Sequence, residues 1–175
     1  MMKRVLIVYS TTDGHTLKIC QRLKQQIEQH NHSAELLSVD DTTAGLPSFD
    51  KIVLGASIRY GKHHAKVHRF IEQYKNILAA KPNAFFSVNL VARKPEKASA
   101  DTNPYVSKFL KNIPWHPQIV GVFAGVLNYP RYSFSDRLLI RLIMWITKGP
   151  TDPATVAEYT DWQKVDAFGR QITLL

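Results

Sequence analysis

Hydrophobic and polar positions divide the chain into two kinds of segment that take turns. Residues 5–9, 51–55, 84–88 and 119–124 are short, nearly unbroken apolar runs, the pattern of strands covered on both faces in a parallel sheet. Residues 34–39 form a more mixed run that reads as one further strand, second in chain order. Between these runs the apolar positions recur at helical spacing. In residues 16–30 they are Ile19, Cys20, Leu23 and Ile27, with Lys18, Arg22, Lys24 and Gln25 on the other side and Asn31-His32 at the end. In residues 64–78 they are Val67, Phe70, Ile71, Tyr74, Ile77 and Leu78, and Pro82 stops the helix. Tyr105, Val106, Phe109, Leu110 and Ile113 mark a third helix, closed by Pro114 and Pro117. Thr160 to Gln163 has capping-box spacing and opens a last helix through Val165, Phe168 and Ile172. The polar stretch 40–48, with Gly45 and Pro47, is a loop.

Strands alternating with helices predict a parallel sheet with right-handed crossovers and helices on both faces. Such sheets bind ligands beyond the C-terminal strand ends, where the strand order reverses. Three loops belong to that edge: 10–16, 57–63 and 89–97. The first reads Ser10, Thr11, Thr12, Asp13, Gly14, His15, Thr16, immediately between a strand and a helix. Amide N–H groups at a helix start lack internal partners and carry partial positive charge, so they attract anions. The hydroxyls add donors, and Gly14 lets the backbone approach a ligand. The loop lacks the three glycines of a dinucleotide fingerprint and the Gly-Lys-Ser/Thr of a Walker loop. Two readings stay open on the loop alone: a seat for a mononucleotide phosphate, and a capped turn with no ligand.

After the fifth strand comes an addition that a plain doubly wound sheet lacks. Ser133, Ser135 and Asp136 can cap a helix over 137–148, which Gly149 and Pro150 end. That helix is apolar almost all round, interrupted by Arg141, and far short of the roughly 20 residues that span a bilayer. Arg131, Arg137 and Lys148 flank it and Trp145 lies near its end, a composition suited to a membrane interface or an apolar substrate. Packing in a dimer interface or on the sheet is the competing reading.

Composition narrows the choice. The 175 residues suit one domain, residues 1–175, with the insert at about 126–150. With one cysteine no internal disulfide forms, and Cys20 falls on the apolar side of the first helix, as a core residue does. No run reaches membrane-spanning length, and the opening apolar run is too short for a secretory signal. The net charge of +9, from 23 basic and 14 acidic residues, calls for an anionic partner. Nucleic acid is the poorest fit, because no binding motif accompanies the charge. His64 and His68 stand one helical turn apart but have no third ligand, so no metal is expected.

The loop of Ser10 to Thr16 resembles the FMN phosphate loop of flavodoxins. Gly-Ala-Ser-Ile-Arg-Tyr-Gly at 55–61, Ser-Val-Asn-Leu-Val-Ala-Arg-Lys-Pro-Glu-Lys at 87–97, Tyr-Pro-Arg-Tyr at 129–132 and Tyr-Thr-Asp-Trp at 159–162 narrow the likeness. Together they resemble the menaquinone-dependent protoporphyrinogen IX dehydrogenases of bacteria, a flavodoxin-like enzyme family. The resemblance implies an α/β, flavodoxin-like, doubly wound five-stranded parallel sheet with helices on both faces and an inserted apolar helix after the fifth strand. It implies FMN, with Ser10 to Thr16 at the phosphate. Ser57, Ile58, Arg59, Tyr60 and Gly61 would surround the flavin ring with Ser87, Val88, Asn89, Leu90, Val91, Ala92 and Arg93, and Tyr60 would be a candidate to stack on it. Asp13 stands where flavodoxins usually carry threonine, so it is expected to point away from the phosphate and cap the helix. The implied substrate is protoporphyrinogen IX, an apolar tetrapyrrole with two propionates. Arg59, Lys94, Lys97 and Arg131 are candidates to meet those propionates, with Arg93 at the same rim. The implied acceptor is a membrane quinone, menaquinone or ubiquinone. Peripheral attachment at the cytoplasmic face of the bacterial inner membrane would then run through Leu138, Leu139, Leu142, Ile143, Trp145 and Ile146. Catalysis would rest with the flavin rather than a protein nucleophile. An electron carrier with protein partners alone is the rival function, and the basic charge and apolar insert speak against it. A homo-oligomer stays open.

Overall fold

β1 (Arg4–Ser10) is the strand about which the sheet turns. The computed structural model describes residues 1–41 and 45–175. β1 pairs in parallel with β2 (Ser33–Ser38) on one side and with β3 (Lys51–Arg59) on the other. β3 turns back into the two-residue β4 (Lys62–His63), then pairs in parallel with β5 (Asn83–Val88), which pairs with β6 (Ile119–Phe123). The parallel order is therefore β2-β1-β3-β5-β6, and it reverses direction between β1 and β3.

The period-two side-chain alternation of β1 assigns the helices to their faces. Val5 and Ile7 point into one core with Ile19, Cys20, Leu23 and Ile27 of α1 (His15–Gln29) and Val165, Phe168 and Ile172 of α5 (Trp162–Leu174). Leu6 and Val8 point into the other with Val67, Phe70, Ile71 and Leu78 of α2 (Ala65–Ala80) and Phe109 of α3 (Pro104–Lys111). The five strands and four helices read from periodicity all recur here. Cys20 is fully buried, and burial pushes its thiol up out of the reactive range.

Several boundaries differ from the sequence expectation, each for a local reason. β3 runs on to Arg59 because it continues into the hairpin with β4. The loop expected over 40–48 closes with a short 3-10 turn, Leu46–Ser48, and residues 42–44 of it lie outside the described residues. The last helix is capped by Asp161, whose carboxylate accepts from the Lys164 amide, and not by Thr160. Thr160 is drawn elsewhere: its hydroxyl donates to the Ala124 carbonyl at 2.7 Å and meets His15 Nε2 at 2.6 Å. His64, weighed as a metal ligand, is the N-cap of α2, its Nδ1 accepting from the Lys66 amide.

The insert leaves the sheet after β6. β7 (Val126–Asn128) pairs antiparallel with β8 (Val156–Glu158), and the two strands form the stalk of a loop that carries α4 (Phe134–Ile146). α4 begins three residues before the expected 137, capped by Ser133, which accepts from the Asp136 amide. Leu127, Tyr129, Tyr132 and Met144 make a small core under it.

Gly55 shows how tightly the first core is filled. A Cβ there would fall inside the ring of Phe86, which Phe123 and Phe168 hold at centroid distances of 5.7 and 6.2 Å. Gly55→Ala should therefore lower stability by about 1–3 kcal/mol, as overpacking does. Urea midpoints of the variant and the unaltered protein measure it, and equal midpoints would refute this account of the packing.

Candidate functional site

A cavity of about 490 Å³ opens at the C-terminal edge of the sheet, at the β1/β3 reversal. Its volume is in the range of small-molecule and cofactor sites. Four segments wall it: the β1–α1 loop, the β3–β4 hairpin, the stretch after β5, and the inner face of the insert.

The first wall is Thr11, Thr12, Asp13, Gly14, His15 and Thr16. Gly14 takes a left-handed φ of 87°, and a Cβ there would meet nothing within 4 Å. The Thr11 hydroxyl accepts from the Gly14 amide at 3.0 Å, which folds the loop over the start of α1. The Thr16 hydroxyl is buried with no hydrogen-bond partner, and so is Oδ1 of Asn128 on the far wall. Orphaned buried polar atoms are costly, and two at one cavity mark places that a polar ligand would satisfy. Helix-start amides, hydroxyls and an open glycine form a donor set suited to a phosphate. His15 is also fixed here. Because the Thr160 hydroxyl gives its proton to Ala124, His15 Nε2 carries the hydrogen between them. Burial, partly offset by Glu158, holds the His15 pKa below its ordinary value.

Asp13 departs from expectation. The N-cap of α1 is Gly14 with no side-chain cap, and Asp13 instead binds Arg59, with Nη1 3.2 and 3.3 Å from its two oxygens. Arg59 also reaches Asp136 of α4 at 2.6 Å, and the Tyr60 hydroxyl donates to the same carboxylate. Tyr60 and Gly61 are the two turn residues of the β3–β4 hairpin, with φ of 52° and 77°. Positive φ at both places is the type I′ requirement, which glycine meets freely and tyrosine at a cost of the order of 1–3 kcal/mol. The turn thereby holds the Tyr60 ring at the cavity rim, with the Arg59 guanidinium 5.6 Å from its centroid.

The third wall is Val88, Asn89, Leu90, Val91 and Arg93, set by a buried polar chain. His63 Nε2 lies 2.9 Å from the Ser87 hydroxyl, which also accepts from Asn89 Nδ2 at 3.4 Å. Asn89 Oδ1 accepts from the Ala92 amide and from Asn103 Nδ2, both at 3.0 Å. Asn103 in turn donates to the Lys97 carbonyl and caps α3. Arg93 donates to the carbonyls of Leu90 and Thr147, tying this wall to the end of α4.

The fourth wall was read only in part: Arg131, a candidate for the propionates, lines the cavity, and Ile143, expected at a membrane, lines it too, whereas Val126, Asn128, Tyr132, Ile140, Met144 and Thr147 from the insert went unread, together with Gly125 and Tyr105. The helical phase of 140, 143, 144 and 147 was the available signal, masked because the opposite face of α4 is apolar as well. Among the residues expected around a ligand, Ser57 and Ile58 line the cavity, whereas Ser10, Ser87 and Ala92 do not. Ser87 and Ala92 are buried behind the wall, where the one bonds His63 and the other joins the core at Val106. Lys94 and Lys97 also lie outside the lining, and Arg59 is engaged by two carboxylates rather than free. Ile143 lines the cavity, while Leu138, Leu139, Leu142, Trp145 and Ile146 are exposed on the other side of α4.

A family model described as a flavodoxin domain matches residues 6–154. The chain is 44% identical over 174 residues to the protoporphyrinogen IX dehydrogenase (quinone) of Leishmania major, covering 98% of this chain and 75% of that protein. It is 42% identical over 173 residues to the enzyme of the same name from Escherichia coli strain K12, covering 98% and 96%. Among solved structures it is similar to oxidised flavodoxin 1 from Bacillus cereus, with a TM-score of 0.57 and 15% identity over 98% of this chain and 97% of that one. An archaeal flavodoxin matches at a TM-score of 0.55 with 15% identity, over 98% and 96%. The structural likenesses speak for the fold.

The polar chain behind the third wall has a pH signature. Burial, with a smaller push from His68, lowers the His63 pKa from 6.5 to about 3. The folded protein thus keeps His63 neutral where the unfolded chain protonates it, so stability rises with pH across that window and is lost on acidification. Between pH 7 and 4.5 the unaltered protein should lose about 2–3 kcal/mol more than His63→Gln. Urea titrations at the two pH values test this, and parallel losses in both proteins would contradict it.

Proposed function

The chain belongs to the flavodoxin domain family, and on that footing we propose that it is an FMN-dependent protoporphyrinogen IX dehydrogenase that reduces a quinone. The observation that carries the proposal is the 42–44% identity to enzymes of that name, sustained over 98% of the chain and so through the insert. The geometry supports it. The β1–α1 loop offers amides and hydroxyls for the phosphate of FMN, including the unpartnered Thr16 hydroxyl. The β3–β4 hairpin and the stretch after β5 flank the space for the ring, with Tyr60 at its rim. When bound, FMN supplies the electron transfer between porphyrinogen and quinone.

The chain's own residues bind, orient and shield. Ile140, Ile143 and Met144 give the cavity an apolar wall against which a tetrapyrrole or a quinone ring can lie. Arg59 neutralises Asp13, so that a carboxylate in the phosphate loop does not repel the phosphate. The polar chain from His63 to Asn103 fixes the third wall without offering a protonated group to the site. The reaction removes three pairs of electrons from the macrocycle, so three quinones become quinols for each porphyrin formed.

We place the enzyme peripherally on a membrane, at the cytoplasmic face of a bacterial inner membrane. Among the described residues no helix is long and apolar enough to cross one. Phe134, Leu138, Leu142 and Trp145 are 51–83% exposed on a single face of α4. Lys148, exposed just past its C-terminal end, suits anionic headgroups. Both reactants of this reaction are lipid-soluble, which gives the face a purpose.

Two measurements test the proposal. Purified protein supplied with FMN, protoporphyrinogen IX and a water-soluble naphthoquinone under anaerobic conditions should generate porphyrin fluorescence. Flavin reduction by a protein partner without porphyrin formation would favour an electron carrier instead. Leu138→Ser with Leu142→Ser and Trp145→Ser should lower binding to phosphatidylglycerol vesicles at least ~10-fold, since each buried apolar side chain contributes roughly 1.5–3 kcal/mol. Turnover of detergent-dispersed substrate should persist, and unchanged vesicle binding would refute the membrane face.

A further inference from the structure

Four Lys or Arg side chains line the cavity, and three are occupied. Lys18 is paired with Glu158 at 2.8 Å, Arg59 with Asp13 and Asp136, and Arg93 with the carbonyls of Leu90 and Thr147. The fourth, Arg131, has no hydrogen bond, ion pair or ring contact among the described residues, yet its backbone is anchored on both sides. It ends the 3-10 turn Tyr129–Arg131 and stands between two buried tyrosines. The Tyr129 hydroxyl donates to the Pro150 carbonyl at 2.7 Å, and the Tyr132 hydroxyl accepts from the Asn128 amide at 3.2 Å. An unpaired guanidinium on a pinned backbone, lining the same cavity as the apolar Val126, Ile140 and Ile143, is available to an anion whose apolar body fills that cavity. It belongs to the insert, whereas the donor set suited to phosphate belongs to the β1–α1 loop.

We infer that Arg131 anchors a carboxylate of the substrate, at the edge of an apolar body that lies along the inner face of α4. The inference rests on the porphyrinogen reading and assigns the substrate's propionate to one residue. A guanidinium binds both oxygens of a carboxylate in its planar fork. Arg131 therefore selects tetrapyrroles whose acid groups are free and sets their orientation in the cavity.

The test is a fluorescence titration in lipid-free detergent, with FMN-loaded protein and two probes: protoporphyrin IX and its dimethyl ester. Arg131→Gln should weaken the diacid roughly 10- to 100-fold, the effect of losing a charge-assisted bond, and leave the ester unchanged. Arg131→Lys should recover part of the loss. In parallel assays the KM for protoporphyrinogen IX should rise while the KM for the quinone holds. Equal effects on diacid and ester, or none on either, overturn the assignment. So does a loss confined to FMN affinity, or to binding of phosphatidylglycerol vesicles, which would give Arg131 to the cofactor or to lipid headgroups. An unaltered protein that binds the diacid but turns over no porphyrinogen would sink the enzymatic reading and leave the carboxylate seat standing. One that binds neither probe would sink both.

Discussion

Arg59 is the point at which the site is held together. Its guanidinium bridges Asp13 in the β1–α1 loop and Asp136 in α4, from the strand end that also carries Tyr60. Three segments that share no backbone pairing thereby meet at one charge. The Asp136 carboxyl is held below the usual carboxylate range, first by the Tyr60 hydroxyl and then by Ser133, with Arg59 adding to both. The Arg59 side chain is only 25% exposed, so water screens it less than an ordinary surface pair. Partly withdrawing a cation from water costs free energy, which the two carboxylates offset. The same arrangement explains how an acidic residue is tolerated in a loop suited to phosphate.

α4 depends on that tether because both its faces are apolar. Ile140, Ile143 and Met144 look into the cavity, and Leu138, Leu142 and Trp145 look out. A helix of this kind has no burial preference strong enough to choose its own rotation, since either face could pack inward. Polar contacts make the choice. Asp136 reaches Arg59, Arg137 donates to the Tyr129 carbonyl, Arg141 to the Thr151 carbonyl, and Thr147 takes Arg93. Each lies off the exposed stripe, so together they turn Leu138, Leu142 and Trp145 outward. An exposed apolar stripe fixed by specific hydrogen bonds on the opposite side is a presented surface rather than a packing failure.

The sheet was legible because its strands are buried on both faces and its helices are amphipathic, so period alone separated them. Thus Val5 to Tyr9 and Ile19, Cys20, Leu23 and Ile27 fell where the pattern put them. The loop of Thr11 to Thr16 was legible for another reason: a strand followed by hydroxyls and glycine constrains its own chemistry. What stayed hidden was pairing at long range. Nothing near Asp13 in the sequence announces Arg59, 46 residues away, or diverts Thr160 from capping α5 to His15, 145 residues away. The inner wall of the insert was hidden as well, since periodicity cannot pick an inward face on a helix that is apolar on two sides. Tyr60 gives a milder case. Tyr-Gly between two short strands is a poor advertisement for a hairpin turn, because tyrosine resists positive φ.

That resistance bears on how the ring-side wall works. A left-handed tyrosine is maintained only where its surroundings outweigh the strain. Here they do so through the side chain, by the hydroxyl on Asp136 and the ring against Arg59, and through Gly61, which completes the turn with Tyr105 close by. The strain and the tether are therefore one system. A residue without the hydroxyl would lose the compensation while keeping the strain, and glycine would relieve the strain while removing the ring from the rim. The net positive charge of the chain, by contrast, says little about the site. Most cations at the cavity are engaged by carboxylates or carbonyls that the fold brings to them, and the chemistry is set by how few are left over.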